Sequence, residues 1–477
     1  MPSAPKRGIR DFPEWADCLH LDRLSLCADT RDMADTSMQT ELQLRADVEV
    51  HPDDLDAPLL ATAQHRPAEK PRSEGTPAVA LFGNFGSDNF GNEGSLRAMV
   101  GFLRRERPEA RLFCVCADPV VVQGALGMPA VAIRRPGGSA RRPRVLKASL
   151  KVLDKVRDLA RAFREIRQAD VMIVPGTGIL DDFGEPPQGM PLDIFIWCLA
   201  ARMSGTKVAF VSAGAGPIGH PVSRWLMVSA ARMAHYRSWR DTISRDFMRN
   251  AGLNVADDAV YPDIAFKLPT PVQPARATSG TGILTVGVGV MKYRGWYFFA
   301  DGGQAIFDSY LDRLARFVLH LLEAGHHVKL LTGEITDMEA VDALIARLQS
   351  VAGGRLPEHA SAARSSSLHC LMEEISSTDV VVATRFHNIV CALMMEKPVI
   401  SLGYSEKNDV LLAEMGLGEF CQRVEAFDVD VLIAHFERAV ARRRELEDAI
   451  RARNLEFRKR LDLQDGRLLS EVLSSRC

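Results

Sequence analysis

From residue 78 onward, short apolar runs alternate with longer stretches of helical periodicity; the alternation is interrupted once and then begins again. The runs at 78–82 (AVALF), 111–116 (RLFCVC), 171–174 (VMIV) and 207–212 (KVAFVS) read as buried strands. Helical periodicity occupies 93–105, 144–168, 190–204 and 221–235. A stretch rich in proline and glycine follows at 268–282 (LPTPVQPARATSGTG). The pattern then resumes, with strand-like runs at 283–290, 327–331, 379–383 and 398–402 and helical stretches at 303–325, 336–350, 386–396 and 428–460. Alternation of this kind predicts parallel sheets covered by helices on both faces. The expected fold class is therefore α/β: two Rossmann-like domains, 77–270 and 281–477, with a cleft between them and the helix 428–460 on the surface. In such sheets ligands sit beyond the carboxyl ends of the strands, so the loops there are the places to search.

Composition narrows the function classes. The 477 residues suit two or three domains at ~100–200 residues each. With 59 basic and 61 acidic residues the net charge is −2, without the basic excess of a nucleic-acid binder. No apolar run reaches the ~18 residues needed to span a bilayer, and the opening MPSAPKRGIRDFPEW has no apolar core of a secretory signal. Nine cysteines with no C-x-x-C spacing argue against a disulfide framework and a zinc site, and a cytoplasmic location is the default. Residues 1–76 carry a net charge of −6 and end in the polar, proline-rich stretch 62–77; they read as a poorly ordered extension, with a short amphipathic helix near 15–27. The basic stretch 134–167 holds an amphipathic helix with Leu146, Leu150, Leu153, Val156, Leu159 and Phe163 on its apolar side. Such a helix either rests on the sheet, the favoured reading, or makes peripheral contact with an anionic membrane face.

Five segments at strand ends can carry chemistry. The first strand runs into Gly83–Ser95, a glycine-rich turn opening a helix whose free N–H groups suit an anion or a sugar hydroxyl. The strand 171–174 ends in Pro175-Gly176-Thr177-Gly178, followed by Asp181 and Asp182. Adjacent residues point in different directions on regular elements, which disfavours a shared metal at that pair. Gly214–Gly219 matches G-x-G-x-x-G with Asp241 about twenty residues on, but it lies deep in the domain and Asp241 begins a helix, so dinucleotide binding is disfavoured. In 236–244 a short strand meets a helix with Asp241 as its N-cap, which puts Arg240 at a strand end beside a helix start, a place for phosphate or carboxylate. The strongest segment is Thr384-Arg385-Phe386-His387-Asn388, after a buried strand and opening an apolar helix. Arginine grips an oxyanion by two parallel hydrogen bonds, and histidine transfers protons near neutral pH. After the next strand, Lys407 offers a further positive charge.

Taken in order, these segments resemble the polysaccharide pyruvyl transferase family. The resemblance covers about residues 79–425 and rests on N-F-G-N-E-G (89–94), the glycine turn after VMIV, A-G-A-G-P (213–217), R-D…S (240–244), Y-P-D (261–263), R-F-H-N (385–388) and K-P-V-I-S-L-G-Y-S-E-K-N (397–408). It implies a glycosyltransferase-B-like architecture and transfer of a pyruvyl group from phosphoenolpyruvate to sugar hydroxyls, with release of phosphate and no metal or redox cofactor. Carried over position by position, the family pattern puts donor contacts at Arg240, Arg385, His387 and Lys407, with His387 and Arg385 catalytic. Asn89, Gly91, Asn92, Glu93, Gly176, Gly178, Asp263 and Asn388 complete the expected substrate-binding set. Asp263 and Glu93 are both candidates for a second proton-transfer group. Two departures bear on the acceptor pocket: Thr177 interrupts what is a triple glycine in the family, and Asn388 stands where many members have glycine. The implied partners are phosphoenolpyruvate and a saccharide, free or lipid-linked, of a surface or exopolysaccharide, with no nucleic acid; self-association is compatible with the fold. The competing readings are a nucleotide-sugar-dependent glycosyltransferase or epimerase of the same architecture, and a non-catalytic polysaccharide-assembly protein.

Overall fold

The computed structural model describes residues 77–135, 147–183, 185–272, 282–295 and 302–474; the extension 1–76, its expected helix and residues 273–281 of the breaker-rich stretch lie outside them. Seven strands form a first sheet: β1 (Ala78–Phe82), β2 (Arg111–Cys116), β3 (Ala130–Ala132), β4 (Val171–Pro175), β5 (Lys207–Ala213), β6 (Tyr236–Trp239) and β7 (Ala259–Val260). Their order is β3-β2-β1-β4-β5-β6-β7, and every neighbouring pair is parallel. Six more strands, β8 (Thr285–Gly289), β9 (His327–Leu331), β10 (Ala360–Ala362), β11 (Val380–Ala383), β12 (Val399–Gly403) and β13 (Cys421–Arg423), form a second sheet. Its order is β10-β9-β8-β11-β12-β13, again parallel throughout. The chain is thus α/β with two Rossmann-like sheets in a glycosyltransferase-B-like arrangement.

The apolar runs form these strands because parallel strands are covered on both faces. All five residues of β1, β4 and β12 are buried. One apolar core continues from the first sheet to the second through the helix Phe90–Glu106, the short turn Ile264–Lys267 and the helix Phe386–Met394, where Phe90, Leu96, Phe266, Ile389 and Leu393 are all buried.

In each sheet the strand order reverses once near the middle, between β1 and β4 and between β8 and β11. At such a switch point the two flanking loops part and leave a crevice. The four loops concerned begin at Gly83, Gly176, Val290 and Thr384, and they include most of the segments singled out from the sequence.

One feature differs from the sequence expectation. The helix expected over 428–460 is two helices, Val429–Ala441 and Arg443–Arg467, hinged at Arg442. The second spans both sheets. Arg443 pairs with Asp379 at 2.7 Å and the Asn454 amide donates to the Leu393 carbonyl at 2.7 Å on the second-sheet side. Farther along, Phe457 meets Phe266 edge-on at 5.1 Å, and Gln464 hydrogen-bonds the buried hydroxyls of Ser212 and Ser238. The basic helix is Lys147–Ile166. Its Ala162 and Ile166 are buried and Leu159 and Phe163 pack on the same core, so this half of the apolar stripe faces the protein, while Leu146 lies outside the described residues. Among the described residues no helix is long and apolar enough to cross a membrane.

Candidate active site

The carboxyl ends of both sheets face a cleft of about 780 Å³. Asn84, Asn89 and Asn92 reach it from the loop and helix after β1, Thr177–Ile179, Asp181 and Phe183 from beyond β4, and Arg240 from the end of β6. From the second sheet come Met291 and Lys292, then Glu334 and Thr336, then Arg385–His387, and finally Tyr404 and Lys407.

Arg240 is 7 % exposed, and its guanidinium is only loosely held. Nη1 lies 3.5 Å from Asp263 Oδ2 and Nε lies 3.5 Å from Asp241 Oδ2, and Nε has no hydrogen-bond partner among the described residues. The ring of Phe386 covers one face of the guanidinium at 4.5 Å. Asp241 caps the helix Thr242–Asn250 as its sequence position predicts, accepting the Ser244 N–H at 2.6 Å. Gly214, the first glycine of the G-x-G-x-x-G match, lies directly against Arg240: a Cβ there would meet Cζ at 2.6 Å. The glycine segment thus makes room for an arginine. A buried cation with N–H groups to spare, at the mouth of a parallel sheet, is a site for an oxyanion.

His387 stands in the first turn of the helix Phe386–Met394 and reaches back toward the first sheet. Its Nε2 is 3.8 Å from Asp263 Oδ2, beyond hydrogen-bond range, and has no partner among the described residues. Asp263 itself is 3 % exposed, and its Oδ1 accepts the Ala265 N–H at 2.9 Å. Burial pushes this carboxyl up, but His387 and Arg240 outweigh burial and hold it below the usual carboxylate range. The half-buried imidazole and Arg240 therefore line the cleft with the buried Asp263 carboxylate behind them.

Arg385 is tied differently. Nε and Nη2 bind the two oxygens of Asp337 at 2.6 and 2.7 Å, and Nη1 meets Glu334 Oε2 at 2.8 Å. Asp337 is fully buried. Burial pulls the arginine pKa down, yet Asp337 and Glu334 outweigh it and hold the guanidinium above its ordinary value. Glu334 also accepts from the Asn89 amide at 3.3 Å, so the chain Asp337–Arg385–Glu334–Asn89 crosses from the second sheet to the first. Of the five guanidinium N–H groups two stay uncommitted, one on each terminal nitrogen. Arg385 is thus foremost a strut across the cleft, with little of its hydrogen-bonding capacity left for an anion.

The remaining expected residues divide. Asn89, Asn92, Gly178 and Lys407 line the cleft, with Lys407 Nζ 4.9 Å from the centre of the Tyr404 ring. Asn89 is committed as N-cap, accepting the N–H groups of Gly91 and Asn92 at 3.1 and 3.3 Å. Glu93 points away from the cleft and accepts the Gly86 N–H, so it braces the glycine loop. Gly176 supports the turn from behind: its φ is +48°, its carbonyl accepts the Ser95 hydroxyl at 2.9 Å, and a Cβ would meet Ile264 at 2.4 Å. Asn388 is fully buried, and neither amide atom has a hydrogen-bond partner among the described residues. It packs against Gly289 and Gly333, outside the cleft lining. Gly91 is covered by the His387 ring. Sequence reasoning missed Glu334 and Asp337 altogether, and noted Tyr404 and Asp181 without placing either in the site. The stretch T-G-E-I-T-D (332–337) carries no motif, and only the bidentate demand of Arg385 gave a hint that a buried carboxylate had to exist.

Comparison with known proteins agrees with this architecture. The family model described as polysaccharide pyruvyl transferase matches residues 89–406. No curated protein matches the sequence significantly. Among solved structures, the chain is similar to the S. aureus MnaA–UDP co-structure, with a TM-score of 0.53 and 10 % identity over 84 % of this chain and 99 % of that one. It is also similar to a putative UDP-N-acetylglucosamine 2-epimerase from Listeria monocytogenes, with a TM-score of 0.50 and 12 % identity over 79 % and 90 % of the two chains. The N-terminal domain of Candida albicans trehalose-6-phosphate phosphatase gives a TM-score of 0.50 and 11 % identity, over 81 % and 95 %. At these identities the likeness is one of fold.

Proposed function

The chain belongs to the polysaccharide pyruvyl transferase family, and from that premise we propose that it moves a pyruvyl group from phosphoenolpyruvate to two hydroxyls of a saccharide, forming a cyclic ketal and releasing phosphate. The observation that carries the reading is Arg240: a buried guanidinium with an unpartnered Nε, beside His387 and opening into the same cleft as Lys407. Phosphoenolpyruvate brings a carboxylate and a phosphate, and two anions so close together call for more than one cation. Arg240 and Lys407 supply the loosely held charges, and the two free N–H groups of Arg385 add to them.

The exchange needs a proton at the methylene carbon and the loss of one from each sugar hydroxyl, with no net oxidation or reduction. His387 is the group proposed to deliver the proton to the methylene carbon. Asp263 Oδ2 lies 3.8 Å behind Nε2 of that ring. Phosphate then leaves as the second hydroxyl closes the ketal, and the donor cations stabilise its charge. The test is phosphate release from phosphoenolpyruvate with saccharide acceptors, together with the ketal methyl signal by proton NMR. Turnover of a uridine-diphosphate sugar with no use of phosphoenolpyruvate would replace this reading with that of a nucleotide-sugar enzyme.

A further inference from the structure

The cleft wall beyond β4 carries a carboxyl group that the donor chemistry leaves unused. Asp181 and Asp182 are neighbours with separate duties. Asp182 is 3 % exposed and its Oδ2 accepts the His220 N–H at 2.9 Å, which ties down the loop after β5. Asp181 lines the cleft. Its Oδ1 accepts the Phe183 N–H at 3.2 Å, which fixes the carboxyl plane, and its Oδ2 turns toward Gly178. A methyl group placed on Gly178 would lie 3.3 Å from Asp181 Oδ2 and 3.5 Å from Arg240 Nη2. The carboxyl and the guanidinium therefore flank a single point, and the absence of a side chain at 178 keeps that point clear.

An aromatic wall adjoins it. Phe183 and Tyr404 both line the cleft, their rings 5.9 Å apart and tilted by 36°, and Tyr293 continues the row at 6.1 Å from Tyr404. Aromatic faces of this kind suit the C–H face of a pyranose ring, while a fixed carboxylate beside them suits its hydroxyls.

We propose that Asp181 is the base that takes the proton from the attacking acceptor hydroxyl, with the acceptor ring seated on Phe183 and Tyr404. This rests on the pyruvyl-transfer reading. In the first half-reaction the hydroxyl O–H bond breaks: the proton passes to Asp181 Oδ2 and the electron pair forms the bond to C2 of phosphoenolpyruvate. The C2–C3 π pair takes a proton from His387, leaving a methyl group. In the second, the C2–O bond to phosphate breaks with its electron pair leaving on phosphate. The neighbouring hydroxyl forms the second C–O bond and its proton leaves with the phosphate. Burial pushes the Asp181 carboxyl above its ordinary value; Lys407, the Phe183 N–H and Arg240 pull it down, and Asp182 pushes it up. Glu185 and His387 line the same cleft. A carboxylate with a raised pKa is the stronger base, and it must be ionised to act, so activity falls as pH drops through that raised value.

The experiment is steady-state phosphate release at saturating phosphoenolpyruvate with the acceptor varied, across pH. Asp181→Asn should lower kcat by about 100-fold or more, with the phosphoenolpyruvate KM changed by less than about threefold. Asp181→Glu should recover part of the rate and shift the acidic limb of the pH profile, a readout that a merely structural carboxylate would not move. Gly178→Ala, at a backbone conformation open to alanine, should raise the acceptor KM by about tenfold by filling the shared point. A wild-type chain that releases no phosphate from phosphoenolpyruvate with any saccharide overturns the reaction reading and this inference with it. An active wild type whose Asp181→Asn variant keeps its kcat and its acidic limb overturns the inference alone.

Discussion

His387 occupies the space that a side chain on Gly91 would need. A Cβ built on Gly91 would meet Nδ1 of the imidazole at 2.0 Å, although the two residues belong to helices that follow different sheets. The imidazole is thus seated on bare backbone at the start of the helix Phe90–Glu106, and the glycine of the N-F-G-N-E-G segment acts as a platform for it.

Gly91→Ala should therefore separate stability from activity. Alanine inside a helix is worth about 1 kcal/mol over glycine, which offsets part of the clash with the imidazole, so the melting temperature should change less than the activity. The displaced imidazole should cost at least about tenfold in kcat, since small misplacements of a reacting group are costly. Thermal melts and phosphate release on the same sample check both, and a fully active variant would show that the ring finds another seat.

His387→Ala, assayed at saturating phosphoenolpyruvate, should lower kcat by about 10²–10⁴-fold, the usual range for a lost proton-transfer group. Donor KM should change far less. Near-normal turnover would assign the proton transfer to another group.

The two arginines should behave in opposite ways. Arg240→Lys keeps a charge but loses the fork, and should raise the phosphoenolpyruvate KM by about 10–100-fold, equivalent to about 1.5–3 kcal/mol for a charged hydrogen bond. Its 3.5 Å ion-pair contacts predict a small change in stability. Arg385→Ala strands the fully buried Asp337 and should destabilise the fold by about 3–5 kcal/mol. Urea unfolding of both variants distinguishes the strut from the anion holder.

Asp263 makes stability depend on acid. Its carboxyl is pushed up by burial but pulled lower still by His387 and Arg240, so its folded value lies below its unfolded one. Its contribution is complete above about pH 4 and is lost as pH falls through the lower folded value. Removing His387, the largest of the three lowering partners beside Arg240 and the Ala265 N–H, in His387→Gln should move the acid-unfolding midpoint up. Tryptophan fluorescence against pH measures this, and an unchanged midpoint would assign the lowering to Arg240 and the Ala265 N–H.

The two sheets were legible in the sequence because their central strands are buried on both faces and so are uniformly apolar. The edge strands β3, β7, β10 and β13 were not: at two or three residues each, they are too short to show any period. The hinge at Arg442 left no sign, because the surrounding A-R-R-R-E carries neither glycine nor proline. Arg240 and His387 stood out in the sequence because a basic side chain at the end of a buried strand is conspicuous along one segment. What each of them touches was hidden. Asp263 meets residues 23 and 124 positions away, and Asp337 lies 48 positions before Arg385, so only folding brings them together. The Asp181–Asp182 pair was rightly split by the argument that neighbours diverge, but the sequence did not say which one faces the cleft.

The bond between Ser212 and Gln464 also sets a clock. Ser212 has a φ of +47° and is wholly buried, and the side chain that receives its hydroxyl is made 252 residues later. At about 5–20 residues per second of synthesis, roughly 13–50 s pass between the two. During that interval β5 and β6 can pair, but Ser212 and Ser238 lack the Gln464 amide that bonds both hydroxyls in the folded chain. The buried hydroxyls of Ser212 and Ser238 in the first half of this protein therefore gain their Gln464 partner only after the second half has been made.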